Sequence, residues 1–169
     1  MHSMLRKGLA LVSCFGLSAA LAADGAWKFQ LDRQDQPSLS YLDAQGKTVL
    51  YIGCGGHFVF DVVYPGATRK DGSKVSIAIA NGTTTMTFAG EIDAAQTYAP
   101  PGAVTFSQAD LGYARSDPDL YEKKWHAFED KVFAFLDSSH PLTISAEGKS
   151  YLLPAIDAAD WRARFRKIC

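Results

Sequence analysis

The chain has 169 residues, 47% hydrophobic and 21% charged, which is enough apolar matter for one domain with a real core and too much for a disordered segment. Its formal charge of -1, with no long run of either sign, offers no basic surface of the kind that nucleic acid requires.

The first residues read as a leader rather than as part of the fold. Arg6 and Lys7 precede an apolar, uncharged run from Gly8 to Ala22, and Ala20 and Ala22 are the small residues a signal peptidase accepts. The expected cut falls after Ala22, leaving one β-rich domain over residues 23–169. The run is short for a membrane span, so no integral membrane segment is expected in the mature chain. An alternative uses "LVSC", Leu11 to Cys14, as a lipoprotein site with Cys14 as the anchor. The short apolar run before Cys14, and the apolar sequence after it, count against that alternative. The expected location is periplasmic or secreted, and the alternative is a lipoprotein anchored through Cys14.

From Trp27 the pattern is β. "WKFQLD" alternates apolar and polar residues, and "SLSYLD" and "TVLYIG" form a hairpin turning at Gln45-Gly46. "HFVFDVVY", His57 to Tyr64, places Phe58, Phe60, Val62 and Tyr64 on one face. "KVSIAIA" directs Val75, Ile77 and Ile79 inward, Asn81-Gly82 is a strong hairpin signal, and its partner strand directs Thr84, Met86 and Phe88 inward. The period then fails from Asp93 to Ser116, apart from a brief strand at Val104 to Phe106.

A helix follows, capped by Asp117 with Pro118 in its first turn, and Tyr121, Trp125, Phe128, Val132 and Phe135 form its apolar stripe. "PLTIS" and "KSYLL" make a final hairpin around Glu147-Gly148. "DAADWRARFRKIC" reads as a second helix with Asp157 as its cap, Trp161 and Phe165 on its buried face, and cations near its end. The expected fold is α+β and mainly antiparallel β: a twisted sheet or β-sandwich with two helices in the C-terminal third.

If Cys14 leaves with the leader, Cys54 and Cys169 remain, and two thiols in an exported protein read as one disulfide. Closing so long a loop stabilises the fold by about 4–5 kcal/mol on a chain-entropy argument. The pair lacks the CxxC spacing of a redox site.

The "YLLPAIDAADWRARFRKIC" ending, together with Cys54 after "VLYIG", resembles that of small exported proteins of proteobacteria with a β-rich middle and a short helix stopping at cysteine. The resemblance implies the periplasm and a structural disulfide. It carries over no activity and no catalytic residue.

The chemistries can be tested in turn. "CGGH", Cys54 to His57, could supply half of a zinc site with Cys169 and His126 or His140 completing it, but a full second half-motif is missing and an oxidised Cys54 cannot ligate, so no metal is expected. His57 and Asp61 share a strand face but stand about 13 Å apart at ~3.3 Å per residue, too far to hydrogen-bond, and Asp61 is expected to face solvent. No GxSxG elbow, HExxH helix or phosphate-binding loop appears, and no cofactor is expected. A dispersed polar catalytic site stays open.

Binding is the leading expectation. The irregular segment from Asp93 to Ser116 carries Tyr98, Phe106, Tyr113 and Arg115, of which Tyr and Arg are the residue types favoured at interface hot spots. The competing reading of the segment is structural, with Phe106 and Leu111 plugging the sheet. The sequence therefore points to an exported accessory protein contacting an envelope component or a protein partner, such as an inhibitor of a cell-wall hydrolase. A periplasmic enzyme and a small-ligand-binding sandwich are the alternatives.

Overall fold

A computed structural model describes residues 24–54, 58–108 and 117–168. Nine strands run in chain order: β1 (Ala26–Leu31), β2 (Pro37–Leu42), β3 (Thr48–Cys54), β4 (Phe58–Val63), β5 (Lys74–Asn81), β6 (Thr84–Asp93), β7 (Thr105–Gln108), β8 (Leu142–Ala146) and β9 (Lys149–Leu153). The helix α1 (Pro118–Leu136) separates β7 from β8, and α2 (Trp161–Ile168) follows β9. All nine strands belong to one antiparallel sheet of order β1-β2-β3-β4-β7-β6-β5-β8-β9. The fold is therefore α+β and mainly antiparallel, as the alternating strands and the two late helices imply. It is realised as a single curled sheet.

Register explains why the sheet curls. One apolar row passes through cross-strand partners Phe29, Leu39, Ile52 and Phe60. The next passes through Tyr41, Leu50, Val62, Phe106 and Ile92. Ile77 and Phe88, then Ile79, Ile144 and Tyr151, extend this face through the last strands. Side chains alternate along each strand, so a continuous apolar face must be turned inward and covered. Curling brings distant strands together: the Tyr151 hydroxyl on β9 donates to the Val63 carbonyl at 2.6 Å, and Trp27 Nε1 on β1 donates to the Pro154 carbonyl at 3.1 Å.

The helices complete the cover through aromatic rings. Phe128 meets Phe58 and Phe88 edge-on, and Phe133 meets Phe58, Trp161 and Phe165. Phe165 in turn packs on Phe29, with the Arg164 guanidinium over the same Phe29 ring. Two ion pairs, Arg162 with Asp137 and Arg166 with Asp130, hold α2 to α1.

The helix boundaries refine the sequence reading. Asp117 caps α1 as expected, accepting from the Leu120 amide at 3.1 Å. Within α1, Val132 and Phe135 are buried as the stripe predicts, but Phe133 and Leu136 are buried too, while Trp125 and Phe128 are only half-buried. The reason is that α1 is gripped from two sides, by the sheet and by α2. The second helix begins at Trp161 rather than after Asp157. Asp160 sits in the left-handed region at φ 54, which interrupts any helix upstream, and the preceding stretch holds the Pro154 carbonyl against Trp27.

Both late hairpin turns follow their residue chemistry. Glu147 and Gly148 adopt φ 52 and 73, the paired positive angles of a two-residue turn. At the β5–β6 turn Asn81 pairs with Thr84, so Gly82 and Thr83 make the turn, and the Asn81 side chain is spent on the Phe135 carbonyl of α1. Thr84, expected to point inward, is exposed at this hairpin end.

Burial ranks the expected effects of truncation. Phe133→Ala should cost about 3–5 kcal/mol and Leu136→Ala about 2–5 kcal/mol, since both are almost fully buried. Phe128→Ala should cost less, and Lys123→Ala roughly 0.5 kcal/mol or less. Urea unfolding curves of the four variants check the order, and a Lys123→Ala effect equal to Phe133→Ala would show that the helix presents a different face.

Candidate functional site

The outer face of the sheet is polar over most of its width, and one part of it is roofed. Residues 94–104 join β6 to β7 without regular structure and bring Tyr98 over Asp61 of β4 and beside Tyr51 of β3. The roof is fixed by its backbone: the Thr48 amide donates to the Tyr98 carbonyl at 3.3 Å, and the Tyr64 amide to the Val104 carbonyl at 2.9 Å. The Thr105 hydroxyl donates to the Asp93 carbonyl at 3.0 Å and closes the loop's base.

Beneath the roof lies Asp61, at 8% exposure. Its strand directs Phe60 and Val62 inward and therefore Asp61 outward, as the alternation requires. The expectation that it would face solvent fails because the roof covers it. The Tyr98 hydroxyl donates to Asp61 Oδ2 at 2.8 Å, and Ser107 also hydrogen-bonds the carboxyl. Tyr51, Asp61, Ser107 and Glu91 are successive cross-strand partners on this face. The Tyr51 and Tyr98 rings lie 6.5 Å apart between centroids. Tyr51 can lie flat because Gly53 has no side chain: a Cβ there would fall 2.5 Å from the Tyr51 hydroxyl.

The electrostatics follow from burial. Loss of water pushes the Asp61 carboxyl above its ordinary range; the hydrogen bonds from Tyr98 and Ser107 oppose this, and the charge of Asp93 adds to it. The Tyr98 phenol is raised by burial and then by the neighbouring Asp61. Tyr51 is raised for the same two reasons, with Asp32 adding to them. The ion pairs of Arg69, Arg162 and Arg166 use Glu147, Asp137 and Asp130, so among the described residues Asp61 has hydroxyl partners and no cationic one.

The expected site residues are distributed unevenly over this geometry. Tyr98 stands in the roof, half-buried. Phe106, from the same segment, is fully buried on the inner face of β7, which makes it a core residue rather than a contact residue of the folded surface. Tyr113 and Arg115 lie outside the described residues, as do His57, Leu111 and Cys169. Cys54 closes β3. His126 is mostly exposed and places Nδ1 3.0 Å from Glu129 Oε2, while Trp125 Nε1 donates to Glu129 Oε1 at 2.9 Å, so this pair serves a buried helix carboxylate. Among the described residues no group of three His, Cys, Asp or Glu side chains converges as a metal site, and no helix is long and apolar enough to cross a membrane.

Sequence reasoning missed Tyr51 and the burial of Asp61. Tyr51 was legible as an outward residue, because Leu50 and Ile52 beside it belong to the core face. A large aromatic on the polar face of a strand is the signal that marks it.

No family model matches the chain, and no curated protein or solved structure is similar to it.

Asp61 makes stability depend on pH in a definite direction. Folding raises its pKa, so this group's contribution is full below the ordinary Asp range and is lost as pH climbs through the raised value. Asp61→Asn keeps an acceptor for Tyr98 and cannot ionise. The stability of this variant relative to wild type should be flat below about pH 4 and rise above it. Urea titrations from about pH 3 to 7 test this, and parallel curves for the two proteins would exclude a raised Asp61.

Proposed function

We propose that the protein is an exported, non-enzymatic binding module that contacts a protein partner or another envelope component through the roofed outer face. An inhibitor of a cell-wall hydrolase belongs to this class. The observation that carries the reading is the pair of half-buried tyrosines, Tyr51 and Tyr98, side by side next to the buried Asp61, with Tyr98 also packed against the edge of the core. Core packing is accounted for by the inner face, where Tyr41, Phe60 and Phe106 are at most 1% exposed. Half-buried tyrosines already held by packing and hydrogen bonds offer large contact area with little entropy left to lose. The small-ligand alternative has less to stand on, because Tyr41, Phe60 and Phe106 fill the inner face. The enzyme alternative draws on the perturbed carboxyl of Asp61, the kind of group found at catalytic sites. Its known partners are hydroxyls that hold it in place.

Export through the leader ending at Ala22 and a Cys54–Cys169 staple belong to the same proposal. Packing supports the staple. Phe165 of α2 rests on Phe29, whose cross-strand row reaches Ile52, two residues before Cys54, and α2 runs to Ile168. Cys54 is itself engaged rather than a free thiol. Protein purified from the native envelope should begin at Ala23, and non-reducing peptide maps should join Cys54 to Cys169. A lipid on Cys14, or reduced thiols at both positions, would defeat this part.

The interface is tested by placing a photo-crosslinking residue at exposed Thr97 in the roof and, separately, at exposed Lys70. In intact cells a discrete adduct should form from position 97 and not from 70. Tyr51→Ala should reduce its yield about tenfold or more, as expected for a hot-spot tyrosine, while the purified variant still unfolds cooperatively. Adducts from both positions alike, or a yield indifferent to Tyr51, would place the interface elsewhere. If neither position reacts and Asp61→Asn abolishes turnover of an envelope substrate, the enzyme reading takes its place.

A further inference from the structure

Resting on the reading of the outer face as an interface, we propose that the cluster of Tyr51, Tyr98 and Asp61 receives an arginine side chain of the protein partner. Three features of the cluster select that chemistry.

The first is an acid with no counter-charge among the described residues. Asp61 is buried to 8% exposure, and its partners are the neutral hydroxyls of Tyr98 and Ser107. An ionised carboxylate has about four acceptor positions, and these bonds leave part of that capacity unused. A buried charge is costly when unpaired, and a cation brought by a partner recovers that cost. The second is the sign of the surroundings. Asp93 and Asp32 bear on the same cluster, and Glu91 is exposed in the same cross-strand row, so the local field favours a cation throughout. The third is the aromatic wall. Tyrosine faces attract cations, and a guanidinium can lie flat on a ring while its edge donates to a carboxylate. The ammonium of lysine makes the second contact without the planar first one. A guanidinium already stands over a ring elsewhere in the protein, Arg164 at 3.9 Å from the Phe29 centroid.

The probe is the peptide acetyl-Gly-Arg-Gly-amide, with acetyl-Gly-citrulline-Gly-amide as its neutral counterpart of the same shape. Backbone amide shifts of the full oxidised protein are followed on titration. The arginine peptide should give saturable shifts confined to residues 48–53, 59–63 and 94–108, and the citrulline peptide should bind about tenfold more weakly or worse, the scale of one lost charge-assisted contact. Asp61→Asn and Tyr51→Leu should each weaken arginine binding, in variants whose remaining amide spectrum overlays the wild type. Equal binding of the two peptides, shifts centred elsewhere, or unchanged affinity in both variants would overturn the inference.

The Thr97 crosslink, run on the same variants, separates this inference from the reading beneath it. A strong adduct with no arginine binding would sink the arginine contact and leave the interface standing. Arginine binding without any adduct would sink the interface and leave a site for a small guanidinium ligand.

Discussion

An apolar face nine strands wide cannot be left to water, and the rest of the molecule is organised around covering it. The inner rows from Phe29 to Phe60 and from Tyr41 to Ile92 are continuous across strand neighbours, so the sheet has no polar seam at which to stop. Curling hides most of it, and the remainder is closed by the ring cluster of Phe58, Phe128, Phe133, Trp161 and Phe165. Both helices therefore owe their place to the sheet. Eight residues of α2 would not hold a helix alone in water; Trp161 and Phe165 keep it docked.

Turning the core inward frees the outer face. A strand that spends Phe58, Phe60 and Val62 on the interior presents Asp61 to the outside at no cost to packing. The roof of residues 94–104 then makes that position unusual, because it removes water from a carboxylate and gives back only hydroxyl hydrogen bonds. Tyr98 links the two roles, since its backbone carbonyl anchors the roof to Thr48 and its hydroxyl anchors the roof to Asp61. A change at Asp61 is thus transmitted to the loop's position as well as to its charge.

What could be read in the sequence divides along the line between local and nonlocal physics. Period-two alternation located the strands around Phe29, Ile52, Phe60, Ile77 and Ile144, and the Asp117-Pro118 start of α1 was legible from cap chemistry. The start of α2 was not, because the conformation of Asp160 depends on how the preceding stretch is held against Trp27, far away in the chain. Phe133 was hidden for a similar reason: a helix packed on one side shows one stripe, and α1 is packed on two. At the site, Tyr98 stood out by residue type, whereas Phe106, drawn from the same segment, was an ordinary core strand residue too short-ranged in its pattern to reveal itself. The burial of Asp61 could not be read at all, since it is made by a loop whose path over the sheet leaves no periodic trace.

The two tyrosines bring these levels together. On the inner face an aromatic ring is explained by its neighbours, as Phe58 is by Phe60, Phe128 and Phe133. Tyr51 and Tyr98 have one another, a glycine beneath Tyr51 and a buried acid beside them, and of the two Tyr98 also packs against the core. Replacing Tyr51 by threonine would suit an outer strand position equally well for folding, since β-branched residues fit a half-buried pleated surface. A half-buried aromatic beside a carboxylate that has no cationic partner among the described residues is what the proposed contact would cover. That arrangement is what singles out the outer face, rather than the filled interior, for the proposed contact.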